Sequence, residues 1–98
     1  GLIAEAGVPE IRAHVAGLVA RLVTGLDELG AKVAAPPHGP LVCIRSTDAP
    51  ALVAAVAADD VVASERDSNL RVSLHLYNTE EDVDAVLASL ARNRALLA

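Results

Sequence analysis

The sequence predicts an α+β domain, in which helices pack on one face of a small, mostly antiparallel sheet of three or four strands. Three observations support this class: a long helical apolar stripe opens the chain, two β-rich runs flank a turn signal in the second half, and a capped amphipathic segment follows them. The 98 residues suit a single domain, and the apolar fraction of 53% excludes a disordered chain.

The first helix is predicted from apolar residues that recur every three or four positions between Ile11 and Leu29. Pro9 suits the first turn of this helix, and Gly30 suits the left-handed position just after its end. The apolar face is broad, which indicates contact on more than one side.

Extended and helical segments alternate in the middle of the chain. Residues 31–35 form an optional strand, and three prolines within 36–40 predict a rigid turn. The β-rich run 41–45 predicts a strand covered on both faces. A second helix is predicted over 49–58, with either Thr47 or Asp48 as its N-cap.

A hairpin and a final helix are predicted next. Residues 61–65 read as a strand, 66–69 as a turn and 70–77 as a second strand with strict alternation. Thr79-Glu80-Glu81-Asp82 resembles a capping box, and apolar residues between Val83 and Leu97 mark the helix that follows. On the second strand, the side chains expected to share the polar face are Arg71, Ser73, His75 and Tyr77.

Composition excludes several function classes. The net charge of −5 and the near absence of aromatic residues argue against a nucleic-acid-binding face. One cysteine cannot form an internal disulfide or, alone, a zinc site, and we expect no metal site and a cytoplasmic protein. No apolar stretch is long enough to span a membrane.

The polar strand face is the best candidate site. A guanidinium on a rigid strand, such as that of Arg71, can bind a carboxylate through two parallel hydrogen bonds. From the residues alone, this face is either a carboxylate site or an ordinary solvated surface.

The segment from Leu70 to Asp84 adds a resemblance. Its arginine, a serine two residues later, then Tyr77-Asn78-Thr79 with acidic residues and a helix, is similar to the C-terminal signature of class V aminotransferases. These are pyridoxal-phosphate enzymes of fold type I, a group that includes cysteine desulfurases, kynureninase and isopenicillin N epimerase. The opening Gly7-Val8-Pro9-Glu10-Ile11 resembles the segment where such chains leave their large domain, so the resemblance covers nearly the whole chain.

The resemblance implies that Arg71 binds the α-carboxylate of an amino-acid substrate. Arg66 matches the arginine that ends the preceding strand, and Arg66 and His75 are possible site-lining residues. The Schiff-base lysine and the phosphate cup belong to the family's large domain, and Lys32 lies in the wrong place to replace that lysine. Residues 1–98 are therefore expected to be the small C-terminal domain of a larger homodimeric enzyme, catalytically inactive alone and binding no cofactor itself.

The reaction stays open among transamination, elimination and epimerisation. Desulfurases of this group carry a cysteine on a longer loop before the signature arginine, whereas Asp67 to Leu70 alone separate Arg66 from Arg71 here. Cys43 is expected to be an inert buried thiol, so desulfurase activity is not expected. The alternative is a free-standing α+β module that binds amino acids or dimerises without catalysis.

Overall fold

A computed structural model of the chain describes residues 2–34, 39–75 and 78–98, with side chains from residue 9 onward. Its elements are, in order, α1 (Leu2–Leu29), β1 (Leu41–Arg45), α2 (Ala49–Ala57), β2 (Ser64–Arg66), β3 (Asn69–Ser73), α3 (Glu80–Arg92) and a short 3-10 helix (Arg94–Leu96). Within these ranges the strands form an antiparallel sheet in the order β1-β3-β2. The predicted α+β class is confirmed.

A single apolar core lies between the helices and one face of the sheet. The fully buried large side chains of the helices and strands come from both layers: Leu18, Leu22, Leu26, Val42, Ile44, Leu52, Val56, Leu70, Val83 and Leu90. Leucine, valine and isoleucine fill this core, since the chain has no Phe, Trp or Met. Because these side chains are small, the core is thin, and the helices and the sheet must lie close together to fill it.

Helix α1 begins earlier than the sequence predicts. It starts at Leu2, so Pro9 lies inside it rather than in its first turn. A proline inside a helix removes one backbone hydrogen bond, which the adjoining turns here tolerate. Ile11 is 39% exposed, so the predicted apolar stripe enters the core only from about Val15 onward. Gly30 ends the helix with φ of +79°, as predicted.

Close packing of α1 against α3 occurs at Gly25. A β-carbon placed there would lie within 3.0 Å of both terminal methyl carbons of Leu87. One turn earlier, Arg21 joins the same two helices through Nε and Nη2 bonds of 3.0 and 2.9 Å to the Asp84 carboxylate, and an Nη1 bond of 3.1 Å to Glu80. These hydrogen bonds hold the pKa of Asp84 below its usual value.

Strand β1 occupies the predicted residues, but its coverage differs from the prediction. Val42 and Ile44 are buried, whereas Leu41 and Cys43 on the other face are half-buried. The expectation of two covered faces, and of a buried Cys43 thiol, was therefore wrong: in this chain helices lie against one face. Val33 forms an isolated bridge to Ile44, which is what remains of the optional strand 31–35. Residues 35–38, including His38, lie outside the described residues.

The strand predicted over 61–65 pairs later, at β2. Asp60 adopts φ of +62° after α2, and the Val61 amide donates to the Val56 carbonyl at 3.0 Å. This bond ends α2 and engages the Val61 amide, and pairing with β3 begins three residues later, at Ser64. The exposed side chain of Val62, 92% accessible, lies in the unpaired stretch.

The predicted hairpin joins β2 to β3. Its loop is two residues, Asp67 and Ser68, both with positive φ (51° and 65°), as the twist of a tight hairpin requires. The predicted alternation of buried and more exposed side chains is confirmed from Leu70 to His75. The paired strand itself is shorter and ends at Ser73. Leu74 still donates its amide to the Pro40 carbonyl at 2.9 Å, and Leu76 and Tyr77 lie outside the described residues.

The helix caps follow the sequence signals. Asp48 caps α2, with its Oδ1 accepting from the Ala51 amide at 3.1 Å, and Thr79 with Asp82 forms the predicted capping box of α3. Helix α3 ends at Arg92 because Asn93 caps it, so Leu97 does not extend the helix as predicted. Instead Leu97 forms a bridge with Ser46, beside the end of β1.

A polar contact fastens the end of α2 to α3. The buried Ser89 hydroxyl donates to Asp59 Oδ2 at 2.7 Å, and Arg92 Nη2 lies 3.2 Å from the same oxygen. The hydrogen bonds from Ser89, and then from Arg92, lower the pKa of Asp59.

Candidate functional site

The candidate site lies on the sheet face opposite the core. In antiparallel pairs, directly opposed residues point to the same face, so the register places Cys43, Arg71 and Ser64 in one row across the three strands. The next row contains Arg45, Asn69 and Arg66, by the same register. The outward face therefore brings three arginines together.

Arg71 is half-buried near the centre of this face. Its Nε donates to the Ser64 Oγ at 3.0 Å, which fixes the guanidinium toward β2. No hydrogen bond from the terminal nitrogens of Arg71 is found within the described residues, and guanidinium N–H groups of this kind can bind a carboxylate in a bidentate manner. Among the described residues, Arg71 forms no ion pair.

A cleft of about 500 Å³ borders Arg71 at the sheet edge, beyond the short strand β2. Its apolar lining comes from both layers and includes Val61, Leu74 and Val86. Within the described ranges, its polar lining consists of Asp60, Ser64, Arg71, Ser73, His75, Asn78 and Asp82. A cleft with apolar walls and a few converging polar groups is typical of small-molecule sites.

Asn78 fixes the end of the cleft where β3 leads into α3. Its Oδ1 accepts from the His75 amide at 2.8 Å, and its Nδ2 donates to Asp82 Oδ2 at 3.3 Å. His14 Nε2 of α1 donates to the Asn78 carbonyl at 2.8 Å. The Thr79 backbone, followed by Asn78, lowers the pKa of Asp82 through hydrogen bonds to its carboxylate.

The other two predicted site residues, His75 and Arg66, differ in their relation to the cleft. His75 is exposed and lines the cleft with Arg71, whereas Arg66 lies on the same face but does not line that cleft. Arg66 Nε is 3.9 Å from Asp67 Oδ2, and both side chains are largely exposed, at 63% and 87%. Of the three predicted site residues, Arg71 and His75 therefore share one cleft, and Arg66 lies outside it on the same face.

Pyridoxal phosphate forms a Schiff base with a lysine, so the position of the lysine in this chain shows whether these residues could hold the cofactor. Lys32, the single lysine in the sequence, is exposed beside the end of β1 and lines a separate groove with Asp27 and Arg45. It does not share the Arg71 cleft, so the described residues do not form such a site around it.

Sequence reasoning missed Ser64 and Arg45. Ser64 holds Arg71 across the hairpin, and Arg45 joins the same face from β1. Their positions depend on strand register, which the two-residue turn sets between β2 and β3. The turn residues were visible in the sequence, but the pairing of β1 with β3, which places Arg45, was not.

Solved structures share this architecture. The chain matches a NifS-like protein with a TM-score of 0.82 and 26% identity, over 95% of this chain and 30% of that one. It also matches a cysteine desulfurase from Thermococcus onnurineus NA1, with a TM-score of 0.85 and 21% identity, over 97% and 29%. These matches confirm the α+β fold that the resemblance implies, as part of a NifS-like architecture.

A third similar structure is 8-amino-7-oxononanoate synthase from Francisella tularensis, with a TM-score of 0.79 and 18% identity, over 96% of this chain and 30% of that one. The chain thus spans about 30% of the length of these proteins. No family model and no curated protein sequence matches it. Because a cysteine desulfurase and a synthase both contain this fold, the fold alone does not identify a reaction.

Two features are absent from the described residues. Those residues contain no group of three or more His, Cys, Asp or Glu side chains placed to hold a metal ion. Among the described helices, none is both long and apolar enough to cross a membrane.

Proposed function

We propose that this chain is the substrate-clamping small domain of a pyridoxal-phosphate enzyme that acts on an amino acid. Arg71 binds the α-carboxylate. The supporting observation is that the Arg71 guanidinium is fixed by Ser64 beside a cleft and, within the described residues, has no acidic partner. A half-buried cation without a counterion is a natural binding point for a carboxylate.

The surrounding residues orient the substrate in this proposal. Ser64 restricts the guanidinium to one direction, which reduces the freedom lost when a carboxylate binds. Val61, Leu74 and Val86 give the cleft an apolar wall that excludes water from the ion pair and strengthens it. Asn78 fixes the backbone at His75, so the cleft keeps its shape.

The remaining parts of the enzyme lie outside this chain in the proposal. The larger protein supplies the Schiff-base lysine and the phosphate-binding residues, and the bound cofactor provides the electron sink for amino-acid chemistry. We propose a cytoplasmic homodimer for that protein, with transamination, elimination and epimerisation as the candidate reactions.

The test is calorimetric titration of the complete protein with a panel of L-amino acids, after its visible absorbance has been recorded. We expect a yellow protein that binds at least one amino acid. Arg71→Gln weakens this binding at least about 30-fold, or about 2 kcal/mol, because a clamped carboxylate loses both hydrogen bonds. Arg94→Gln is the control, since Arg94 is an exposed arginine of the 3-10 helix.

Two results would contradict the proposal. If Arg71→Gln binds amino acids as tightly as Arg94→Gln does, Arg71 is not the carboxylate site. A colourless complete protein that still binds amino acids through Arg71 would instead identify a binding module without cofactor chemistry.

A further inference from the structure

The outward sheet face carries more positive charge than one carboxylate requires. Arg45 and Arg66 flank Asn69 in the row next to Arg71, and Lys32 lies beside Arg45, whose amide donates to the Lys32 carbonyl at 2.8 Å. By alternation, the outward positions of the three described strands include no aspartate or glutamate. The whole chain, by contrast, has a net charge of −5. The cations are therefore concentrated on the face that contains the proposed clamp.

Arg66 is the cation best placed to act together with Arg71. The two residues lie diagonally on neighbouring strands, where β-carbons are typically a little less than about 7–8 Å apart. The bond from Arg71 Nε to Ser64 draws the Arg71 guanidinium toward β2, the strand that carries Arg66. Arg45 is also diagonal to Arg71, but it lies on β1, on the side from which the guanidinium turns away.

The Arg66 side chain is not committed to a strong partner within the fold. Its contact with Asp67 is long, at 3.9 Å, and both groups are mostly in solvent. Exposed ion pairs of this kind contribute little, and a ligand can replace them at small cost. Two neighbouring guanidinium groups also repel each other, and an anion bound between them removes that repulsion.

We infer that the substrate carries a second anionic group, and that Arg66 binds it while Arg71 binds the α-carboxylate. The substrate class is then an amino acid whose short side chain ends in a carboxylate or another oxyanion. With its α-carboxylate on Arg71, a bound aspartate or glutamate could extend its side chain toward the neighbouring row of the sheet, where Arg66 lies. This inference rests on the proposed function, because it takes Arg71 as the anchor of the amino acid.

The experiment compares acidic amino acids with their uncharged isosteres. The complete protein is titrated by calorimetry with L-aspartate and L-asparagine, and with L-glutamate and L-glutamine. Each pair differs in charge and little in shape, so the ratio of affinities isolates the second anionic group. We expect at least one acidic member to bind about tenfold more tightly than its amide.

Two arginine variants locate the group that recognises the second charge. Arg66→Gln is expected to remove the preference for the acidic member while leaving the affinity for the amide unchanged. Arg45→Gln is the matched control, because it removes the same charge from the same face; the preference should stay within about threefold of the parent value. Arg71→Gln should weaken all the amino acids that bind.

The outcomes separate this inference from the proposed function. If Arg71→Gln weakens binding but Arg66→Gln leaves the acidic preference intact, the role of Arg66 is wrong and the clamp stands. A preference removed equally by Arg45→Gln also overturns the assignment, since the effect then belongs to the general field of the face. If Arg71→Gln changes nothing, the proposed function itself fails.

Discussion

Gly25 offers a sharp test of the packing between α1 and α3. Alanine at this position would place its β-carbon within 3.0 Å of both terminal methyl carbons of Leu87. The clashing atoms are the end of a flexible side chain, so Leu87 can turn aside, and because it is half-buried against the core that movement changes part of its packing. Overpacking of this kind costs about 1–3 kcal/mol. Replacing an interior helical glycine by alanine gains about 1 kcal/mol, so the net change of Gly25→Ala is a loss of about 0–2 kcal/mol.

Gly17 supplies the control within the same helix. A β-carbon at Gly17 meets no atom within 4 Å. Gly17→Ala should therefore raise the free energy of unfolding by the full helix-propensity gain of about 1 kcal/mol. The difference between the two alanine variants measures the steric cost at Gly25 alone.

The assay is equilibrium urea unfolding followed by circular dichroism at 222 nm. Leu87→Ala creates the missing space, so Gly25→Ala made in that background should become stabilising by about 1 kcal/mol. The resulting coupling between the two positions is about 1–3 kcal/mol. Equal stabilisation by Gly17→Ala and Gly25→Ala would refute the close approach of the two helices.

Three further predictions concern stability. Thr79→Ala removes the N-cap of α3 and should cost about 1 kcal/mol in urea unfolding, whereas Thr79→Ser should cost less than half of that; equal losses would contradict the capping bond. Leu22→Ala empties a fully buried position and should cost about 2.7–5 kcal/mol by the same assay, with a loss below 1 kcal/mol contradicting its place in the core. The depressed pKa values of Asp59, Asp82 and Asp84 mean that their stabilisation is complete above the unfolded pKa and is lost as the pH falls through the lower folded pKa. The urea midpoint should therefore fall progressively below about pH 4, and a flat profile from pH 5 to pH 2 would count against these hydrogen bonds.

Local signals sufficed for most of the elements. The bounds of β1, the caps at Asp48 and Thr79, and the hairpin turn were all predictable, because each depends on residues within four positions of one another. The alternation of β3 also identified its outward face and hence Arg71.

The errors arose where tertiary or backbone context overrides the local pattern. Pro9 suggested the start of a helix, because proline is most common in the first turn. That preference is not a requirement, and α1 continues on both sides of Pro9. The strand at 61–65 had good β-propensity, yet the Val61 amide bonds back to α2 and delays pairing to Ser64. The two-residue turn sets the register of β2, since Arg66 pairs with Asn69 and Ser64 therefore lies opposite Arg71. The hydrogen bond between these two side chains is a tertiary contact that the local pattern does not contain.

The two-residue turn of the hairpin has a consequence for how this fold can acquire new chemistry. Asp67 and Ser68 close the loop in the fewest residues that a hairpin commonly uses, and both are exposed. Exposed loops accept insertions at a low entropic cost, about 0.6 kcal/mol for each doubling of loop length. A longer loop grafted here would leave the core-facing residues of β3 unchanged, and its tip would be free to fold over the arginine face. The length of this turn would then determine which side chains reach the arginine face, while the residues of the sheet itself stay unchanged.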